Sequence, residues 1–428
     1  REAVGGRAVS PADDAHATLL HYLGTGTLPW SAAHAPPEAA AAALRAAVRE
    51  GWRRAGDALR AAGEPAAAWF RLLHLLDAAQ AAAFVEAFAA HLPPAWRRAL
   101  LQLLAGDGDA ARLIPRPDAR LRIAAALVAR GDAISLLRTP SSPPDDGGGT
   151  ASTDAEWRQS LLSITLRSLG GDADDAAAFA DLVSTLDPSS AGEGGTKRTA
   201  RRARTASADR TGGKMEIRDD AAEGHAPTAR HHAGGDGDAE PAALAISPRP
   251  MREDAEGDAF PIPVANAGLV LLNPFIPMLF QRLGVAEDGA VAGARLPRAA
   301  ALLHHLAAGR AELHEFELGM VKVLLGLRPA DALPVAEGLL EPGDAEEAEG
   351  LLESVVAHWN VLKNTSPEGL RGSFLRRPGL LRALDRGWGL QVEPAPWDVL
   401  LDHLPWSVSV VKFPWMAHPV HVEWKTTR

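Results

Sequence analysis

Apolar residues recur at three- and four-residue spacing through most of the first 137 positions, in segments 16–23, 37–62, 66–76, 78–91, 94–105 and 118–130. That is the period of amphipathic helices. Pro65 and Pro94 stand just before apolar runs, and Gly63, Gly106 and Gly131 stand where runs stop, the asymmetry expected of helix starts and ends. The helical period returns after 260 in PFIPMLFQRLG, PRAAALLHHLAAG (297–309), ELHEFELGMVKVLLG (312–326) and DAEEAEGLLESVVAHWNVLKN (344–364). Asn273 is the expected cap of the first of these, and Ser366-Pro367-Glu368 opens a further short helix.

The period then shortens to two. Trp388, Leu390 and Val392 alternate with Gly389, Gln391 and Glu393; Trp406, Val408 and Val410 with Ser407 and Ser409; Val420, Val422 and Trp424 with His421 and Glu423. Three half-buried strands follow, with a hairpin loop over 413–419 framed by Pro414 and Pro419. Trp406 and Trp424 fall on apolar faces, and Trp415 stands at the loop tip.

The expected fold is mainly α. Residues 1–137 form a helical domain, 138–187 a linker with a short helical segment (156–169 and 174–186), 188–258 a disordered low-complexity linker, and 259–428 a C-terminal α+β domain. This last domain ends in a small antiparallel sheet or hairpin. Composition sets the middle boundaries: TPSSPPDDGGGTAS at 139–152 cannot build a core, and 188–257 contains no Phe, Trp or Tyr.

The chain of 428 residues carries a formal net charge of −10, so general attraction to nucleic acid or an anionic membrane is not expected. Arg198, Arg201, Arg202 and Arg204 form a local basic tract that reads as solvated. The absence of cysteine excludes disulfides, thiolate catalysis and cysteine zinc sites. No window approaches 18 consecutive apolar residues, so no membrane span is expected. The opening REAVGGRAVS has neither an initiator Met nor a secretory leader pattern, which predicts a chain that begins inside a longer product.

Catalytic patterns are incomplete. Gly212-Gly213-Lys214 lacks the spacing of a phosphate loop, His304-His305 are adjacent rather than one helical turn apart, and His314-Glu315 has no partner histidine at 318. His231-His232 has no third spaced ligand, and Gly372-Ser373 lacks the second glycine of a nucleophile elbow. Asp398 and Asp402, a turn apart beside Trp397 and Trp406, are the one carboxylate pair that a carbohydrate-acting hydrolase or sugar-binding protein could use. The expectation is a non-enzymatic protein with no cofactor and no metal.

Two regions carry a family pattern. VANAGLVLLNPFIPMLFQRLGV (264–285), RAAALLHHLAAGR (298–310), HEFELGMVKVLLGLRP (314–329), WNVLKNTSPEGLRGSFLRRPGLL (359–381) and LPWSVSVVKFPWMAHPVHVEW (404–424) occur in that order, and LLHYLGTGTLPW (19–30) precedes them. Together they resemble the tape measure proteins of contractile injection systems, which are phage-tail-like particles. The resemblance implies a structural protein that sets tube and sheath length, assembles in the cytoplasm and ends inside the tube, as a homo-oligomer. Its implied partners are tube, baseplate or spike, and cap proteins. Phe413, Trp415 and Met416 on the proline-framed loop, with Lys363 and Asn364, are the expected partner contacts, because exposed Trp and Met favour protein interfaces.

Overall fold

The computed structural model describes residues 11–136, 173–186 and 261–424, apart from positions 34, 63–65, 91, 93, 334, 336 and 337. The expected linkers over 138–172 and 188–258, with helix 156–169, lie outside the described residues.

Among the described residues, eight helices form the N-terminal part: α1 (Pro11–Thr25), α2 (Pro37–Ala62), α3 (Ala66–Leu75), α4 (Ala78–Phe88), α5 (Pro94–Ala105), α6 (Gly108–Leu113), α7 (Pro117–Leu136) and α8 (Ala173–Leu186). Proline opens α1, α2, α5 and α7, where its missing N–H costs nothing. Asp77 caps α4 in a reciprocal box with Gln80, its carboxylate accepting the Gln80 N–H at 2.8 Å. The apolar faces meet around Trp52, Trp69, Phe84 and Phe88, with the Phe84 and Phe88 rings stacked 4.9 Å apart. α8 closes the group, Phe179 meeting Trp96 edge to face at 5.3 Å.

The C-terminal part holds α9 (Ile276–Arg282), α10 (Leu296–Ala308), α11 (Gly319–Leu324), α12 (Asp344–His358) and α13 (Pro367–Leu370). Its strands are β1 (Ile262–Val264), β2 (Ala286–Glu287), β3 (Ala290–Val291), β4 (Gly379–Leu384), β5 (Gly387–Val392), β6 (Val410–Val411) and β7 (Val420–Glu423). Five of them make one sheet in the order β1-β4-β5-β7-β6, antiparallel except for the parallel pair β5–β7. β2 and β3 form a separate hairpin. Both parts belong to one compact unit.

Three local expectations change. Asn273 does not cap α9; its amide donates to the carbonyls of Val270 and Ser407 at 3.0 and 3.1 Å. The run 312–326 splits into a 3-10 turn, Glu315–Glu317, and the six-residue α11, because Glu315 turns inward to buried cations. The strand expected at 406–410 shrinks to Val410–Val411, with Val410 exposed and Val411 buried, the reverse of the predicted phase.

Candidate docking surface

The final stretch of the described chain works as a strap tied down by tryptophans. Trp406 donates its indole N–H to the Leu271 carbonyl at 2.9 Å, Trp415 to the Leu324 carbonyl at 2.9 Å, and Trp424 to the Asp398 carboxylate at 3.0 Å. Leu271 and Leu324 lie in the last turns of a 3-10 segment and of α11, where carbonyls lack partners within their own helix. The two indoles therefore act as side-chain caps from a distant part of the sequence.

This geometry corrects the expected contact loop. Phe413 and Met416 are buried in the chain's own core, and Trp415 stacks on Phe280 (5.3 Å) and meets Phe413 at a tilt (5.1 Å). Turning these apolar groups inward removes their area from water, and the Trp415 N–H finds a carbonyl there. Only Lys363 and Asn364, of the five expected contacts, are exposed.

Lys363 has φ 49° and ψ −105°, a conformation that favours glycine, yet a long cationic side chain occupies it. The 3-10 segment Pro396–His403 is tied to the preceding helices, since Trp359 donates to the Leu400 carbonyl (3.3 Å) and Trp397 to the Ser373 carbonyl (2.8 Å). Trp397 and Val399 are each 45% exposed there. Exposed groups of this end of the chain thus include a cation at a strained backbone position, an amide and two apolar side chains.

Asp398 and Asp402 do not share a site. Asp398 is fully buried and accepts from Arg377 (2.7 and 3.1 Å), the Ala395 N–H (2.8 Å) and Trp424, while Asp402 is exposed. Arg377 also lies over the rings of Trp397 and Trp424. The carboxylate thus anchors the strap and the 3-10 segment, with its oxygens committed to four donors.

A second buried network joins the two parts of the chain. Glu315 accepts from Arg71 Nε (3.1 Å) and Nη2 (3.0 Å), from Lys322 Nζ (2.7 Å) and from the Tyr22 hydroxyl (3.5 Å). Arg71 also donates from Nη1 to the Leu23 carbonyl and from Nη2 to the Ala330 carbonyl, and Lys322 donates to that of Pro329. Burial alone would raise the Glu315 pKa, but Arg71 and Lys322 hold it below the usual carboxylate range. Lys322 is itself lowered, by burial first, since it shares a single carboxylate with Arg71 and faces that guanidinium's charge. Burial and then Glu315 raise Tyr22.

The sequence carries a faint signal of this network: Arg71 and Lys322 are isolated charges in the apolar runs AAAWFRLLHL and GMVKVL. An isolated charge on a buried helix face must find a partner. Gly26 of the Thr-Gly-Thr-Leu-Pro-Trp element has φ +72°, and a Cβ there would stand 2.6 Å from Arg71 Nη2.

His304 and His305 are both buried in α10; His304 Nε2 lies 3.1 Å from the Glu312 carbonyl, and His305 lies 3.8 Å from Glu349. His314 lies 3.4 Å from Glu38. Among the described residues, no group of three or more His, Asp or Glu side chains is placed to hold a metal ion, and no helix is long and apolar enough to cross a membrane.

A family model described as contractile injection system tape measure protein matches residues 1–424. No curated protein and no solved structure matches the chain.

Proposed function

The chain belongs to the contractile injection system tape measure family, and from that premise we propose that it sets tube and sheath length, docking to the tube or baseplate through part 259–428. Tape measure proteins lie inside the tail tube of the particle, and the family is a structural one. The docking contact is the surface of Lys363, Asn364, Trp397 and Val399, with cap or spike proteins as further partners. Assembly takes place in the cytoplasm, with several copies in one tube.

The observations that support this surface are Lys363, held at positive φ at an exposed position, and the exposure of the apolar Trp397 and Val399. Backbone strain kept at a solvent-facing position costs roughly 1–3 kcal/mol and persists where a function uses it. The sugar-hydrolase reading has no comparable support, since Asp398 is enclosed by its four donors.

The test has two arms. In-frame deletions within 188–257 should shorten particles seen by electron microscopy in step with the residues removed; unchanged length sinks the length-setting role. Trp397→Ala with Lys363→Glu should lower the amount of this chain recovered in purified particles while the isolated chain keeps its fold. Full recovery of that double variant sinks the docking surface.

A further inference from the structure

Several links between the two parts of the chain, among the described residues, converge on one short C-terminal stretch, 314–332. Glu315 meets Arg71 and Tyr22, Phe316 meets Tyr22 edge to face (6.3 Å), His314 meets Glu38, and Arg71 reaches the Ala330 carbonyl. Ala332 is buried in the N-terminal core, Phe316 packs against it, and Gly319 faces Thr27 and Val264. The Arg71–Glu315 pair is almost fully shielded from water, with side-chain exposures of 0% and 3%.

We propose that this network is a clasp: the two halves recognise each other as partners, so that segment 187–260 leaves from and returns to a single body. Leu186 ends α8 on the N-terminal core, and Ile262 opens β1, paired with β4 in the C-terminal sheet. The described residues that flank the intervening chain, Leu186 and Ile262, therefore both belong to one compact unit. A strut between two separate bodies would add up to about 3.4 Å per extended residue, whereas an excursion that must come back adds at most about 1.7 Å. The choice of residue chemistry fits a clasp more than a filler. Three charges in a dry site gain little stability over apolar packing, but they penalise any mismatched register of the halves.

The inference rests on the length-setting reading for its consequence in the particle, but its test does not. A protease recognition sequence is inserted between Gly212 and Gly213 of the full chain, the purified protein is cleaved, and the fragments are run by size exclusion and sedimentation. Co-migration as one species of the uncut mass is expected, and fragments that part overturn the clasp.

In the cleaved chain, Glu315→Gln should raise the fragment dissociation constant by roughly tenfold or more, since two buried cations lose their counter-charge. Arg71→Lys is the gentler second variant; it keeps the charge but loses the forked contacts, and it should weaken association in the same direction. Unchanged association in both variants overturns the role of the network. Particle lengthening well above about 1.7 Å per residue inserted in 187–260 overturns the out-and-back geometry. Particles whose length ignores such insertions, with fragments that still co-migrate, would sink the length-setting reading and leave the clasp standing.

Discussion

Trp415 donates its indole N–H to the carbonyl oxygen of Leu324 at 2.9 Å, across 91 positions of sequence. The bond occupies a carbonyl at the end of α11, a helix of only six residues. A loop that its proline frame would mark as protruding is folded back by this contact and by the Phe280 ring.

Trp415→Phe keeps most of the ring stacking and removes the donor. It should cost about 1–2 kcal/mol, the usual loss when a partly buried carbonyl is left without its partner. Chemical denaturation of both chains reads this directly; an unchanged midpoint and slope would mean that water replaces the indole at no cost. Trp406→Phe, which frees the Leu271 carbonyl in the same way, should show a similar loss.

Two glycines respond in opposite senses to alanine. A Cβ at Gly268 would stand 1.7 Å from the Phe374 carbonyl oxygen and 2.7 Å from Leu375 Cα. Both are backbone atoms, and the neighbouring Ala267 N–H donates to the Arg377 carbonyl at 2.9 Å, so neither segment can retreat freely. Gly268→Ala should cost at least about 3 kcal/mol. Gly350, in the interior of α12, has nothing within 4 Å of its notional Cβ. Gly350→Ala should stabilise by about 0.5–1 kcal/mol. Thermal melts of the pair give the comparison, and equal effects would contradict the packing described.

Much of the helical skeleton was legible. α2 and α5 are bounded as their proline starts and apolar spacing predict, because local sterics decide both. The strand at 387–392 was legible for the same reason. What failed was set by distant partners. β1 is three residues long with Pro263 at its centre, and β4 begins at Gly379 and carries Arg382, so neither shows a strand pattern until paired. The β2–β3 turn, Asp288-Gly289, is by contrast a local signal, with φ of 49° and 76° typical of a tight hairpin. Phe413 and Met416 look like surface contacts in one dimension because the groove they fill is built by residues far away in sequence. Lys363 is exposed, and its positive φ is invisible in the sequence.

Acid should weaken the fold in a defined window. Burial first, then the Arg310 charge, pull His304 down from 6.5 to about 4. In the unfolded chain this ring takes up its proton near 6.5, while in the folded chain it resists until about 4. Stability is therefore fully present above 6.5, falls as pH drops from 6.5 to 4, and falls no further on this account below that. The loss amounts to about 3 kcal/mol at one proton per ring. His21 and His74 are lowered by burial as well and deepen the same slope. His304→Gln should flatten part of the slope between pH 6.5 and 4 in urea titrations; an unaltered slope would assign it to the other rings.

The three-charge site offers the sharpest contrast of substitutions. Glu315→Gln leaves Arg71 and Lys322 buried without a counter-charge, and should cost about 3–5 kcal/mol. Replacing all three members, Arg71→Met, Glu315→Leu and Lys322→Met, removes the charges together. The carbonyls of Leu23, Pro329 and Ala330 then lose their donors, but no ion remains in a dry site. The triple variant should therefore recover most of the stability lost by the single one, although it removes more bonds. Denaturant unfolding of the three chains decides the matter. A triple variant weaker than Glu315→Gln would mean that the hydrogen bonds to those carbonyls outweigh the buried charge imbalance, and the network would then rest on bonding geometry rather than on electrostatics.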